Sequence, residues 1–179
     1  MVYAFLADGF EEAEAIVPID IMRRCGIETA TVGVTGEYVT SSRNITVKAD
    51  ITIDGLNCEN ARMVFLPGGM PGTENLKKSE KVIGALKYCA ASGIYIAAIC
   101  AAPSVPGMLG LLKGKKATCY PGWEDKLTGA EYVDKPVVSD GKFITGNGAG
   151  AAFEFGFAIA EILAGKEKSR QVFKAMLCK

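Results

Sequence analysis

The stretch of sequence that decides the fold is Ile94-Tyr95-Ile96-Ala97-Ala98-Ile99-Cys100-Ala101-Ala102-Pro103. The residues before Cys100 form an uninterrupted apolar run, whereas a strand with one solvated face alternates apolar and polar residues. Such a run predicts a central strand of a parallel sheet, covered by helices on both sides. The small residues that follow allow a sharp turn, so Cys100 is expected at a strand-to-helix junction.

Strand-like and helix-like runs alternate on both sides of this segment. Short β-rich runs occur at 2–6, 29–34 and 63–67. Runs with helical spacing occur at 75–91, 151–164 and 167–177. Residues 37–53 look like short strands at an edge, and Asp140-Gly141 predicts a two-residue hairpin. Pro18 is expected to break or kink the first helix. The pattern predicts an α/β fold, a mostly parallel sheet with helices on both faces.

Composition excludes several classes of partner. The 179 residues suit one domain, spanning 1–179, and the 20 basic and 20 acidic residues give zero net charge. We therefore expect no nucleic acid or anionic membrane as a partner. No stretch approaches the roughly 18 apolar residues of a membrane span, and the N-terminal run lacks the basic start of a signal peptide.

The titratable residues restrict the possible chemistry. Six cysteines occur without a Cys-x-x-Cys pair, so we expect neither a zinc knuckle nor a thioredoxin-like dithiol. Because no signal peptide or membrane span is predicted, we expect free thiols in a reducing, cytoplasmic compartment. No metal or other cofactor is expected. The chain has no histidine. A mechanism that needs an imidazole base or a histidine metal ligand is therefore excluded.

Cys100 is the candidate nucleophile. At a helix N-terminus, backbone N–H groups and the helix dipole favour the thiolate, and lowering the pKa by one unit stabilises it by about 1.4 kcal/mol. The alternative is a small buried hydrophobic residue, which is the interpretation we adopt for Cys25, Cys58, Cys89 and Cys178.

Loops that follow strands are expected to converge on the carboxyl edge of the sheet. The loops concerned are residues 7–14, 67–73 and 100–104. Gly68 and Gly69 could aim a backbone N–H at a developing oxyanion, with Ala101 N–H as the second donor, although the same sequence is typical of any tight loop. Glu11 and Glu12 are interpreted as a solvated helix start.

Taken in order, several motifs resemble the ThiJ/PfpI superfamily, in the branch of the Parkinson-disease protein (the DJ proteins) and its bacterial counterparts. The motifs cover nearly the whole chain and are Leu6-Ala7-Asp8-Gly9-Phe10-Glu11-Glu12-Ala13-Glu14, Pro18-Ile19-Asp20, Leu66-Pro67-Gly68-Gly69-Met70-Pro71-Gly72, Ala97-Ala98-Ile99-Cys100-Ala101-Ala102-Pro103 and Ala117-Thr118-Cys119-Tyr120-Pro121. The resemblance implies a flavodoxin-like three-layer sandwich and a homodimer.

The resemblance also implies roles for individual residues. Cys100 matches the oxidisable nucleophile of the family, and Glu14 matches the carboxyl group that hydrogen-bonds it. Gly69 and Ala101 match the backbone donors beside the sulfur, and Gly68 lies next to them in the pocket.

Three further pocket positions follow from the same resemblance. Arg43 falls where the family places an arginine near the pocket. Tyr120 occupies the position at which many catalytic members carry histidine, and Ala149 stands where relatives often carry proline. Without the histidine, a Cys-His dyad for peptide hydrolysis cannot form.

The expected function is protection against reactive carbonyls, through glyoxalase or deglycase chemistry of Cys100 and Glu14 on methylglyoxal or its adducts. The alternative is a redox-sensing or chaperone-like protein in which Cys100 oxidises to the sulfinate. A cysteine hydrolase or amidase is the weaker alternative, because there is no histidine.

Overall fold

A central seven-stranded sheet organises the computed structural model, which describes residues 1–178. The strands are β1 (Val2–Leu6), β2 (Thr29–Gly33), β3 (Tyr38–Thr40), β4 (Thr46–Lys48), β5 (Ile51–Thr52), β6 (Met63–Leu66), β7 (Tyr95–Ile99), β8 (Lys116–Ala117), β9 (Glu131–Tyr132), β10 (Val137–Asp140) and β11 (Phe143–Gly146). The helices are α1 (Glu12–Arg24), α2 (Gly72–Lys78), α3 (Glu80–Ala91), α4 (Ser104–Met108), α5 (Ala152–Ala164) and α6 (Lys166–Ala175).

The strand order is β10-β11-β7-β6-β1-β2-β5, and neighbours run parallel except β10 and β11. The predicted hairpin is confirmed, with Asp140 opposite Phe143. Strands β3 and β4 pair in a separate two-stranded sheet, while β5 joins the edge of the central one, as expected for residues 37–53. This arrangement is the predicted flavodoxin-like α/β fold.

The two faces of strand β7 belong to two different hydrophobic cores. Ile96 and Ala98 pack beneath α2, α3 and α4, whereas Ala97 and Ile99 pack beneath α1, α5 and α6. Both faces are therefore removed from water, which accounts for the uninterrupted apolar sequence. The same covering leaves only the strand ends open to solvent, and the candidate site lies at one of them.

The expected break of α1 at Pro18 is absent, and the single helix expected over 75–91 is wrong. Helix α1 continues through Pro18, which lies within its bounds. Helix α5 approaches so closely there that a Cβ on Gly156 would lie 3.0 Å from the Pro18 Cα, and this packing offsets the lost backbone hydrogen bond. The single helix over 75–91 is two helices, because Ser79 is extended and its hydroxyl accepts from Val82 N–H as the N-cap of α3.

Within residues 1–178, no helix is both long and apolar enough to cross a membrane.

Candidate active site

Cys100 occupies a left-handed turn at the carboxyl end of β7. Its φ is +65°, a conformation that costs a non-glycine residue about 1–2 kcal/mol. The backbone is held on both sides, since Cys100 N–H donates to the Gly146 carbonyl at 2.9 Å and the Cys100 carbonyl accepts from Tyr120 N–H at 2.8 Å. The surrounding structure therefore imposes the strained turn, as is common at functional sites.

The helix after this turn is shorter than the sequence suggests. Residues 101–103 form turns, and α4 has only five residues, with Pro106 inside it. Because so few peptide dipoles are aligned, the helix contributes little to stabilising an anion at Cys100. The prediction that a helix dipole stabilises the Cys100 thiolate is therefore largely wrong.

Glu14 supplies the neighbouring carboxyl group. It lies in the first turn of α1, only 1% exposed, and is in hydrogen-bonding contact with the Cys100 thiol. Its Oε2 also accepts from Gly68 N–H at 3.0 Å. A Cβ on Gly68 would lie 2.6 Å from this oxygen and 2.7 Å from Cys100 Cβ, so only glycine fits between the two groups.

The thiol and the carboxyl group titrate as a pair. Burial is the main cause that raises the pKa of Glu14 from 4.5 to about 7. Burial, followed by the Glu14 charge, raises the pKa of Cys100 from 9.0 to about 12. Above neutral pH the pair thus holds one proton and one negative charge between sulfur and oxygen. The expectation of a thiol with an independently lowered pKa is wrong, because burial outweighs the favourable hydrogen bonds.

Two backbone amides converge on the same sulfur. The N–H groups of Gly69 and Ala101 donate to Cys100 and act to lower its pKa. Gly69 has a φ of +92°, and a Cβ there would meet the backbone of Gly9 at 2.5 Å and collide with that of Glu11. The loops after β1, β6 and β7 therefore meet at Cys100, at the carboxyl edge predicted for them.

The other expected pocket residues are Tyr120, Ala149 and Arg43. Tyr120 is half exposed and its backbone holds Cys100, while a Cβ on Gly148 would touch its ring at 3.5 Å. Ala149, the next residue, is exposed at the start of a 3-10 turn. Arg43 N–H donates to Glu12, and its guanidinium donates to the Ser42 carbonyl. These two bonds do not involve Cys100.

Glu12 was expected to be a solvated residue, but its side chain makes specific contacts. Its carboxylate accepts from Ser41 Oγ at 2.5 Å and from Arg43 N–H at 2.8 Å. Desolvation opposes these hydrogen bonds, but they hold the pKa of Glu12 below its usual value. Glu12 therefore fixes the loop at 41–43 against α1, two residues before Glu14. No local sequence signal predicts this contact, because its partners are about thirty positions apart.

Metal binding finds little support in the side chains. Among residues 1–178 there is no group of three or more cysteine, aspartate or glutamate side chains arranged to hold a metal ion. A hollow of about 1120 Å³ lies between α5 and α6 and is lined by neither Cys100 nor Glu14. The chemistry available at Cys100 is that of a partly exposed thiol, a buried carboxyl group and two amides.

A strained cysteine elbow on a parallel sheet, paired with a buried glutamic acid, defines the class of protein: an α/β protein with a candidate nucleophile at a strand end. The chain belongs to the DJ-1/PfpI family, whose model matches residues 1–162.

Individual relatives agree with this assignment. Protein dj-1beta of Drosophila melanogaster is 41% identical over 175 residues, covering 96% of this chain and 94% of the relative. The glutathione-independent glyoxalase DJR-1.2 of Caenorhabditis elegans is 33% identical, covering 93% and 89%. The structure of oxidized Toxoplasma gondii DJ-1 superposes with a TM-score of 0.94 at 36% identity and covers 99% and 97%.

Proposed function

We propose that the chain is a cofactor-independent enzyme that detoxifies small reactive carbonyls, with glyoxalase or deglycase chemistry on methylglyoxal or its adducts. The observation that carries the proposal is the contact between the buried Glu14 carboxyl group and the Cys100 thiol. The glyoxalase named among the relatives supports the same reaction class.

The shared proton supplies the acid–base chemistry. With a pKa of about 7, Glu14 is present in both protonation states near neutral pH, which is the best condition for a group that accepts and returns a proton. The Glu14 carboxylate takes the thiol proton as the Cys100 sulfur attacks the aldehyde carbon. The C–S bond forms, and the electron pair of the C=O double bond moves to the oxygen.

The product follows from proton movements within the adduct. Glu14 returns its proton to the new oxyanion, which gives a hemithioacetal, and the amides of Gly69 and Ala101 stabilise that charge while it develops. A proton then moves from the first carbon to the second, and the hydroxyl proton on the first carbon moves to the oxygen of the second, which converts the hemithioacetal to a lactoyl thioester. Water hydrolyses the thioester, releasing lactate and the free thiol, so no redox partner is needed.

Lactate formation from methylglyoxal tests the proposal. We expect Cys100→Ser to abolish it and Glu14→Gln to reduce kcat/KM by about 10²–10⁴-fold, since a proton-transfer group is lost while the shape is kept. Glu12→Gln is the matched control, because it removes a carboxylate of the same turn that bonds the 41–43 loop instead. An unchanged rate in either Cys100→Ser or Glu14→Gln would contradict the proposal.

A redox-sensing or chaperone-like role is the second candidate, because a protonated Glu14 beside the sulfur can donate to the oxygens of a sulfinate. A related structure is described as oxidized, which agrees with it. After mild peroxide treatment, mass spectrometry should find two added oxygens chiefly on Cys100. Oxygens distributed evenly over the six cysteines would contradict this role.

We also propose that the protein acts as a homodimer in the cytoplasm. Exposed apolar side chains on α1 and α5, among them Ile16 and Phe153, support self-association, and the six free thiols suit a reducing compartment. Sedimentation equilibrium should give twice the mass of one chain, and a monomer at micromolar concentration would contradict the dimer.

A further inference from the structure

Two cysteines outside the candidate active site contact each other. Cys58 opens a 3-10 turn (Cys58–Asn60) that precedes β6, and Cys89 lies in the last turn of α3. Cys58 packs against the buried apolar cluster that includes Cys89, and the two thiols share a hydrogen bond. Cys58 is partly exposed, whereas Cys89 is completely buried. One sulfur of this pair is thus reachable from solvent and the other is held behind it.

Cys58 lies beside the face of α3 that carries Cys89. A hollow of about 390 Å³ is lined by Cys58 together with Lys81, Ala85 and Tyr88 of that helix. Ala85 precedes Cys89 by four residues, so both lie on the same helix face. The hollow therefore opens onto Cys58 directly beside the stripe of α3 that carries Cys89.

The hydrogen bond assigns different roles to the two sulfurs. The thiol of Cys89 donates to Cys58 and thereby lowers the pKa of Cys58. The same bond, followed by burial, raises the pKa of Cys89. Since thiolates attack peroxides and thiols do not, the exposed Cys58 is the sulfur that reacts first.

We propose that Cys58 and Cys89 form a second, dithiol redox site that a hydroperoxide converts to an intramolecular disulfide. The Cys58 thiolate attacks the peroxide, whose O–O bond breaks, and an alcohol leaves once it has gained a proton; hydrogen peroxide releases water. The resulting Cys58 sulfenic acid is then attacked by the Cys89 sulfur. The S–O bond breaks, and the departing hydroxide takes the Cys89 proton and leaves as water. Two thiols and one peroxide thus give a disulfide, an alcohol and water.

Peptide mapping tests this site. The full chain is treated with hydrogen peroxide, unfolded, alkylated and digested without reductant. We expect the alkylation of Cys58 and Cys89 to be lost together, and a peptide pair linked through them to appear with two hydrogens fewer than the separate peptides. A reductant should restore both thiols.

Three variants make the result specific. Cys89→Ala should leave Cys58 with added oxygen instead of a link, and Cys58→Ser should leave Cys89 fully alkylated. Cys100→Ser should still form the link between Cys58 and Cys89. The experiment therefore tests the dithiol site independently of the proposed carbonyl chemistry at Cys100. The proposal is overturned if wild-type Cys58 gains oxygen while Cys89 stays alkylated, if neither reacts, or if Cys58 links to a different cysteine or to a second chain.

Discussion

Cys100 and Cys119 have the same raised pKa, about 12, in two very different environments. Burial is the largest cause in both, but Cys119 is completely buried and the more remote charges of Glu124 and Asp125 add to the effect. Cys100 is partly exposed, and the charge that raises its pKa belongs to a carboxyl group in contact with the sulfur.

The comparison shows that the height of a thiol pKa does not by itself identify a reactive cysteine. Glu14 opposes ionisation of Cys100 only while it is itself ionised, and by accepting the thiol proton it removes that opposition. The amides of Gly69 and Ala101 then stabilise the sulfur anion. What matters is whether the neighbouring charge can take the proton, and Glu14 is placed to do so.

The largest expected difference between the two cysteines is in their reaction with a small alkylating reagent. In the native protein we expect Cys100 to be alkylated at least ~10³-fold faster than Cys119, because reaching Cys119 requires an unfolding equilibrium of roughly 5 kcal/mol or more. Quenched labelling with mass spectrometry measures both rates, and in denaturant they should agree within a few-fold. Equal rates in the native protein would remove the distinction.

The buried carboxyl group should make stability depend on pH in an unusual direction. The folded-state pKa of Glu14, about 7, lies above the 4.5 of an exposed glutamate, so the unfolded chain releases this proton first as the pH rises. The free energy of unfolding should therefore fall by about 3 kcal/mol from this group between pH 4.5 and pH 7. Urea unfolding at a series of pH values measures this free energy.

Glu14→Gln is the reference for that titration. The amide keeps the shape of the protonated acid and does not ionise, so the difference between wild type and variant isolates Glu14 from carboxylates with lowered pKa, such as Asp50. Parallel stability curves for the two proteins across this range would show that Glu14 is not the buried acid described above.

A smaller effect is expected from the glycine that separates the two groups. Gly68→Ala should lower the free energy of unfolding by about 1–3 kcal/mol and reduce activity, because its Cβ would overlap Glu14 Oε2 and Cys100 Cβ. Gly84→Ala is the matched control in α3. A Cβ there has no heavy atom within 4 Å, and the change should stabilise the helix by roughly 0.5–1 kcal/mol. Equal stability and activity in both variants would show that the site tolerates the added methyl group.

The fold could be predicted from the sequence because its signals are local. Each signal depends on residues close in the chain: the apolar run at 94–99, the Asp140-Gly141 turn, and the alternation of strand-like and helix-like runs. The break at Ser79 was missed because a capping serine within an apolar pattern is a weak signal. Continuity through Pro18 was missed because it depends on packing against α5, far away in the chain.

The candidate site was less accessible to sequence reasoning. The position of Cys100 followed from local pattern, but its pairing with Glu14 came from the family resemblance alone, because 86 positions separate the two residues. The direction of the thiol pKa was wrong, since burial is a property of the tertiary structure. The contact of Cys58 with Cys89 has no local signal at all, and both were interpreted as inert.

The most direct test of the shared proton is the pH dependence of Cys100 alkylation in wild type and in Glu14→Gln. The wild-type rate should rise with an apparent pKa of about 7, as the pair loses one of its two protons. In Glu14→Gln the rate should show no inflection near pH 7 and should rise only at higher pH, because no carboxylate remains to accept the thiol proton. A single inflection at the same pH in both proteins would contradict the account.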